Sequence, residues 1–205
     1  VNKIAGLLLA AGISTRMGTP KQLLRVGSQT LLGRALEQAL RSDLDLVALV
    51  LGFREQEIKE NLTGVLQHPK LRIVENKNYG GGISTSIIAG LSAVEEHFDH
   101  VMIILADMPH VSSSLINLLI RRYIESRLPL GAILTKNGRS HPVVIGRRFY
   151  GAVHHLRGDT GGRELFVKYA DQVCLVEPEE NYQDVDIDTQ EDYLKFKKSL
   201  GEEPS

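Results

Sequence analysis

The sequence predicts an α/β protein with a largely parallel central sheet and helices on both faces. Three observations carry this reading. Short apolar runs alternate with longer amphipathic stretches along the chain. Several of those runs are apolar without interruption, as strands are when both faces of a sheet are covered. No internal repeat, low-complexity tract or cysteine framework points to another architecture.

Strands are expected at residues 4–9, 46–51, 71–74, 101–105, 131–134, 143–145 and 173–176. Helices are expected at residues 30–41, 55–61, 84–96, 113–126, 147–154, 161–170 and 189–200. In the first helix Leu32, Leu36, Ala39 and Leu40 recur on one side at helical spacing. Ser112 or Ser113 can cap the helix that carries Leu115, Leu118 and Leu119. No convincing linker divides the chain. Residues 1–200 are therefore expected to form one domain, with 201–205 a frayed tail.

A length of 205 residues suits one domain at the large end of the usual range. Hydrophobic residues make up 42% and charged residues 24%, as in a folded globular protein. A formal net charge of -1 argues against a general nucleic-acid binder. It leaves room for a local basic pocket that takes one small anion. No apolar run reaches membrane-spanning length, so no membrane association is expected. Cys174 is the single cysteine, which excludes an intramolecular disulfide and a cysteine-based zinc cluster. It sits in the apolar run QVCLVE and is expected as a small buried residue in a reduced, cytoplasmic setting. His97, His100, His154 and His155 lack partners at metal-binding spacing and read as surface or satisfied histidines.

Sheets of this kind bind ligands beyond the carboxyl ends of their strands. The first strand empties into LAAGISTRMGTPKQLL. Ala10, Ala11 and Gly12 are small enough for a ligand to approach the backbone, and Gly12 and Gly18 loosen it. Arg16 and Lys21 add two cations. Exposed amides with two cations make a polyphosphate cradle. The spacing is neither that of a Walker loop nor that of the dinucleotide fingerprint. The alternative is an ordinary strand-to-helix connection with surface charges.

The run HVMIILADMPHV places Asp107 at the same edge. A carboxylate there suits magnesium bridging to phosphate oxygens. Alternatively, it bonds to amides in a turn before Pro109. Asp184, Asp186 and Asp188 alternate, so an extended strand would point them to one face. Such a group repels itself unless solvent or a cation intervenes. Alternatively, Asp188 caps a helix that begins at Thr189, with Glu191 and Asp192 favouring its first turn.

Six segments, in this order, resemble the nucleotidyltransferase family that activates molybdopterin. They are LAAG-x-S-x-R-M-G-x-x-K at residues 9–21; Asn76, Tyr79, Gly82, Ser86 and Gly90; Ala106-Asp107-Met108-Pro109; His141-Pro142; residues 158–163; and Asp186-Ile187-Asp188-Thr189. The chain departs from the family pattern at Ser140, Tyr79 and Gly162, where glycine, tryptophan and alanine are common. All three lie outside the nucleotide loop and bear on the acceptor.

The resemblance implies a Rossmann-like three-layer nucleotidyltransferase domain with a mostly parallel sheet. It implies magnesium, CTP and a molybdopterin-type acceptor, with a molybdenum-enzyme maturation partner as an added role. It puts Leu9, Ala10, Ala11, Gly12, Arg16, Lys21, Asn76, Gly82, Ser86 and Asp107 on the nucleotide side. Arg16, Lys21 and Asp107 carry catalysis, and Asp107 with Asp188 holds the metal. His141, Asp159 and Arg163 receive the acceptor. Plainer readings stand beside three of these assignments: a glycine turn at residues 80–86, a strand-start histidine at 141, and a turn or helix-capping aspartate at 159. Guanylyl relatives tend to read Leu-Ala-Gly-Gly where this chain has Leu9-Ala10-Ala11-Gly12, so Ala11 favours the smaller base. Two alternatives remain: a nucleotidyltransferase that uses GTP or a sugar or alcohol phosphate, and a non-catalytic delivery module.

Overall fold

A computed structural model describes residues 2–13, 20–62, 64–159, 161–179 and 182–201. Most of the tail expected at 201–205 falls outside them. The strands of the main sheet are β1 (Ile4–Leu9), β4 (Leu46–Leu51), β5 (Leu71–Glu75), β6 (His100–Leu105), β7 (Leu130–Thr135), β8 (Gly138–Gly146) and β9 (Val173–Val176). Two short strands, β2 (Arg25–Val26) and β3 (Gln29–Thr30), form a separate antiparallel ribbon. The helices are α1 (Leu31–Arg41), α2 (Glu55–Asn61), α3 (Ile83–Ser92), α4 (Ser113–Ser126), α5 (Tyr150–Val153), α6 (Arg163–Lys168) and α7 (Gln190–Ser199).

The strand order is β5-β4-β1-β6-β8-β7-β9. Only β8 runs against the others, pairing antiparallel with β6 and β7. This is the mostly parallel α/β sheet that the alternating sequence pattern predicts. Every residue of β1 is buried. Its uninterrupted apolar run serves two cores, because successive side chains leave a strand on opposite faces. Ile4 and Leu8 enter the core beneath α1, α2 and α4, where Leu36, Ile58 and Leu119 pack. Ala5, Leu7 and Leu9 enter the core on the other face, with Ile87 of α3, Val153 of α5 and Phe166 of α6.

Helix starts follow local capping chemistry. Thr30 accepts from Gly33 N and starts α1. Of the two candidate serines, Ser112 caps α4, accepting from Leu115 N. Thr189, not Asp188, caps α7; it accepts from Asp192 N while the Asp192 carboxylate accepts from Thr189 N, a reciprocal capping box. A third, small apolar cluster of Val26, Leu31, Ile187 and Phe196 ties α7 to the β2–β3 ribbon and the start of α1.

Four expectations change. The helix expected at 147–154 is a 3-10 turn, Arg147–Phe149, followed by one turn of α-helix, Tyr150–Val153. Strand β8 begins five residues earlier than its apolar part, at Gly138, because Arg139 and Ser140 pair with Leu134 and Ile133 of β7. Residues 183–188 pair with no strand, so Asp184, Asp186 and Asp188 do not share a sheet face. Cys174 is half-buried, since it lies on the edge strand β9. None of the described helices is long and apolar enough to cross a membrane.

His154 and His100 behave as structural groups. His154 Nε2 lies 2.8 Å from Glu95 Oε2, and His100 Nδ1 lies 2.9 Å from the Tyr123 hydroxyl. Burial lowers the pKa of His100; Asp99 opposes the shift and Arg147 adds to it. Below about pH 6.5 the unfolded chain therefore takes up a proton that folded His100 resists. Stability should fall as pH drops from 7 to 5.5, and His100→Gln should lose less over that interval. Urea unfolding at the two pH values reads this, and an equal loss in both proteins would contradict it.

Candidate active site

The register of β1 delivers the first loop to the sheet's carboxyl edge. Leu9 pairs with Val50 of β4 and Leu105 of β6. Beyond the strand, Ala10 N donates to Val50 O at 2.9 Å, and Phe53 N donates to Ala11 O at 3.2 Å. Gln22 then fastens the loop from behind. Its side chain is 7% exposed, and its Nε2 donates to Ala10 O at 3.0 Å and Gly12 O at 3.1 Å. With these carbonyls held by protein, the small residues border a cleft of about 460 Å³. Among the described residues, nothing lies within 4 Å of where a Cβ on Gly12 would stand.

Lys21 and Asp107 both line the cleft and are in direct contact. The 3-10 turn Lys21–Leu23 carries Lys21, and the turn after β6 carries Asp107. Lys21 Nζ donates to Asp107 Oδ2 at 3.0 Å and to Asp188 Oδ1 at 2.5 Å. Asp188 arrives because Ile187, fully buried, donates its amide to Asp107 O at 3.0 Å. The capping box of α7 fixes the chain on its other side. Burial opposes the charged form of Lys21, but Asp107 and Asp188 outweigh it and hold its pKa above the usual ammonium value. Asp186 does not line the cleft. Partial burial and the nearby carboxylates of Asp107, Asp188 and Asp184 push its pKa up to about 6, against the pull of Lys21.

Leu9, Ala10, Ala11, Gly12, Lys21, Gly82, Ser86 and Asp107 all line this one cleft, and Asp188 joins it through Lys21. Asp159 lines it as well, although the resemblance implies an acceptor role for that residue. Asn76 does not line it. Its buried Nδ2 donates to Thr85 Oγ1 and Ser86 Oγ, and its Oδ1 accepts from Asn78 N, so Asn76 shapes the wall from behind. His141 and Arg163 also lie off the cleft lining. Burial lowers the pKa of His141, and the charges of Asp107 and Asp184 oppose that shift. Arg163 is the exposed first residue of α6. Arg16 and Gly18 fall outside the described residues.

Asp184 is occupied elsewhere: it accepts from Thr135 Oγ1 at 3.0 Å and from the Ser140 hydroxyl. Sequence reasoning missed Gln22 and Gly52. A polar side chain directly after Lys21 is the only sequence signal for Gln22. Gly52 is explained by close approach, since a Cβ there would lie 2.7 Å from Tyr79 Cβ and 3.0 Å from Ala11 Cβ.

The donor set fits a hard divalent cation. One ammonium group already bridges the carboxylates of Asp107 and Asp188, so the pair faces a common point of positive charge. No group of three or more His, Cys, Asp or Glu side chains is arranged to hold a metal among the described residues. Asp107 and Asp188 would hold such an ion, with oxygens from substrate and water completing its shell.

Residues 6–173 match the model of the MobA-like NTP transferase domain. The chain is 28% identical to the molybdenum cofactor cytidylyltransferase of Escherichia coli (strain K12) over 198 residues, 96% of each chain. It is 24% identical to a probable molybdenum cofactor guanylyltransferase of Bacillus mycoides (strain KBAB4), covering 99% of this chain and 100% of that one. Among solved structures, a homologue of Mycobacterium tuberculosis rv0371c from Mycobacterium sp. strain JC1 is 30% identical, with a TM-score of 0.83 and 97% and 96% of the two chains covered. Rv0371C of Mycobacterium tuberculosis H37Rv, solved in complex with manganese, shares the fold at 24% identity, a TM-score of 0.79 and 97% and 99% coverage. A cleft at the strand ends, a strand-end aspartate and a lysine between carboxylates accord with these matches: the chain belongs to the MobA-like NTP transferase family and is a nucleotidyltransferase.

Proposed function

We propose that the chain transfers CMP from CTP to the terminal phosphate of a molybdopterin-type acceptor and releases pyrophosphate. The observation that carries this reading is Lys21 bridging Asp107 and Asp188 in a cleft that Ala10, Ala11 and Gly12 also line. An acceptor phosphate oxygen forms the new bond to the α phosphorus, and the bond from that phosphorus to the pyrophosphate oxygen breaks. The acceptor phosphate is already largely ionised near neutral pH, so no general base is required. Positioning and charge stabilisation then carry the rate.

Lys21 neutralises charge that builds on the leaving pyrophosphate, with Arg16 as its partner in this reading. Asp107 and Asp188 would hold magnesium, which supplies further neutralisation of phosphate oxygens when bound. The wall at residues 82–86 faces the base or ribose, kept in shape by Asn76. His141 and Arg163 serve the acceptor. Delivery of the product to a molybdenum-enzyme maturation partner belongs to the same reading.

The preference for CTP rests on Ala11. It is 2% exposed and lines the cleft, with its methyl close enough to Gly52 that a Cβ built there would lie 3.0 Å from it. The Escherichia coli cytidylyltransferase likeness, over nearly the full length of both chains, supports the same choice.

A pyrophosphate-release assay with magnesium, CTP and purified molybdopterin is expected to show turnover. Release with a sugar phosphate but not with molybdopterin would sink the acceptor assignment. In that assay Lys21→Ala should lower kcat by about 100- to 1,000-fold, as loss of a transition-state charge partner does. Its effect on CTP affinity should be smaller, and unchanged turnover would remove Lys21 from the mechanism. Ala11→Gly should move the ratio of kcat/KM for CTP over GTP toward GTP by about tenfold, a typical value for one methyl group in a pocket. A ratio that does not move would show that Ala11 does not read the base.

A further inference from the structure

Helix α3 begins without a cap of its own. Its first residue is Ile83, and Gly82 before it has no side chain to accept from the free amides. The acceptors come from a segment far along the chain. Asp159 Oδ1 accepts from Ile83 N at 3.2 Å, and Gly158 O accepts from Ser84 N at 3.1 Å. The backbone of Gly82 is shaped for this contact. Its φ is +91°, which L side chains rarely adopt. A Cβ there would lie 2.5 Å from Gly158 C and 2.7 Å from Asp159 Oδ1. The turn at 158–159 thus seats directly on the start of α3. Gly82, Ile83, Ser86 and Asp159 all line the nucleotide cleft.

We propose that Asp159 is a positioning residue of the nucleotide site: by capping α3 from a distance, its Oδ1 fixes the cleft wall at residues 82–86. The role requires an acceptor oxygen at that point and does not require a negative charge. It replaces a direct contact with the acceptor, and it rests on nucleotide binding in the cleft described above. It also divides the labour within that cleft. The amides of Ile83 and Ser84 are taken, so the start of α3 does not serve as the phosphate grip. That task stays with the first loop and Lys21, and the α3 wall is left for the sugar or base.

Asp159→Asn keeps Oδ1, and Asp159→Ala removes it. In the ligand-free full chain, amide exchange at Ile83 and Ser84 should be native-like in Asp159→Asn. At Ile83 it should be about tenfold faster in Asp159→Ala, as expected for loss of one cap. Titration calorimetry with CTP, and in parallel with GTP, should show affinity within about twofold of native for Asp159→Asn and about tenfold weaker for Asp159→Ala. Gly82→Ala should lose the same amide protection although Asp159 is intact. Three results would overturn the proposal: Asp159→Asn as impaired as Asp159→Ala, native protection and affinity in Asp159→Ala, or native protection in Gly82→Ala. Should Asp159→Ala not fold, Asp159→Asn decides alone, with native-like protection supporting the role and lost protection refuting it. Exchange is read without nucleotide, so a native protein that binds GTP and not CTP would refute the base assignment while the capping role of Asp159 is still decided by exchange.

Discussion

The pairing of β1 with β4 on one side and β6 on the other is the constraint on which the site depends. Leu9 sits opposite Val50 and Leu105, so three strands end at nearly the same height. Ala106 N then donates to Leu9 O, which binds the turn carrying Asp107 to the base of the first loop. Because the strands are buried on both faces, a slip in register would disturb two cores at once. Hydrophobic packing therefore sets the distance between loop and carboxylate with a precision that neither segment could provide alone.

Electrostatics at this edge is a balance among few groups. Lys21 stands between two carboxylates, while Asp186 shares their field with only a weaker pull from the lysine. In isolation such crowding is unfavourable, and the folded chain tolerates it because each backbone turn is anchored elsewhere. Ile187 is buried, Thr189 and Asp192 cap one another, and Gln22 holds the loop's carbonyls. The site's charge arrangement is thus stored in apolar contacts and backbone hydrogen bonds.

Much of this was legible in the sequence. Uninterrupted apolar runs located β1, β4, β6 and β9, and Thr30 and the serine pair at 112–113 marked the starts of α1 and α4. The order of short motifs located the cleft, since Leu9 to Gly12, Lys21, Gly82, Ser86 and Asp107 do meet. Other features were hidden because they depend on contacts across the chain. The polar half of β8 forms a strand only because β7 lies beside it. The acidic alternation at 184–188 suggested a shared face, yet Asp184 bonds to Thr135 and Ser140 while Asp188 pairs with Lys21. Asn76 resembles a ligand-binding residue in sequence, but its side chain bonds to protein groups, and Gln22 gave little sign of its hold on the first loop's carbonyls.

The small apolar knot of Val26, Leu31, Ile187 and Phe196 has a consequence for when the site comes into being. The match to the family domain ends at residue 173, and the sheet is complete at Val176, but Asp188 lies beyond both. One of the two carboxylates that flank Lys21 is thus brought in by a clasp beyond residues 6–173, fastened to the ribbon that follows the first loop. During synthesis the sheet would have all its strands before the ribosome had made the residue that finishes the charge triad. Assembly of the protein and readiness of its chemistry are consequently separate events, joined by one apolar latch.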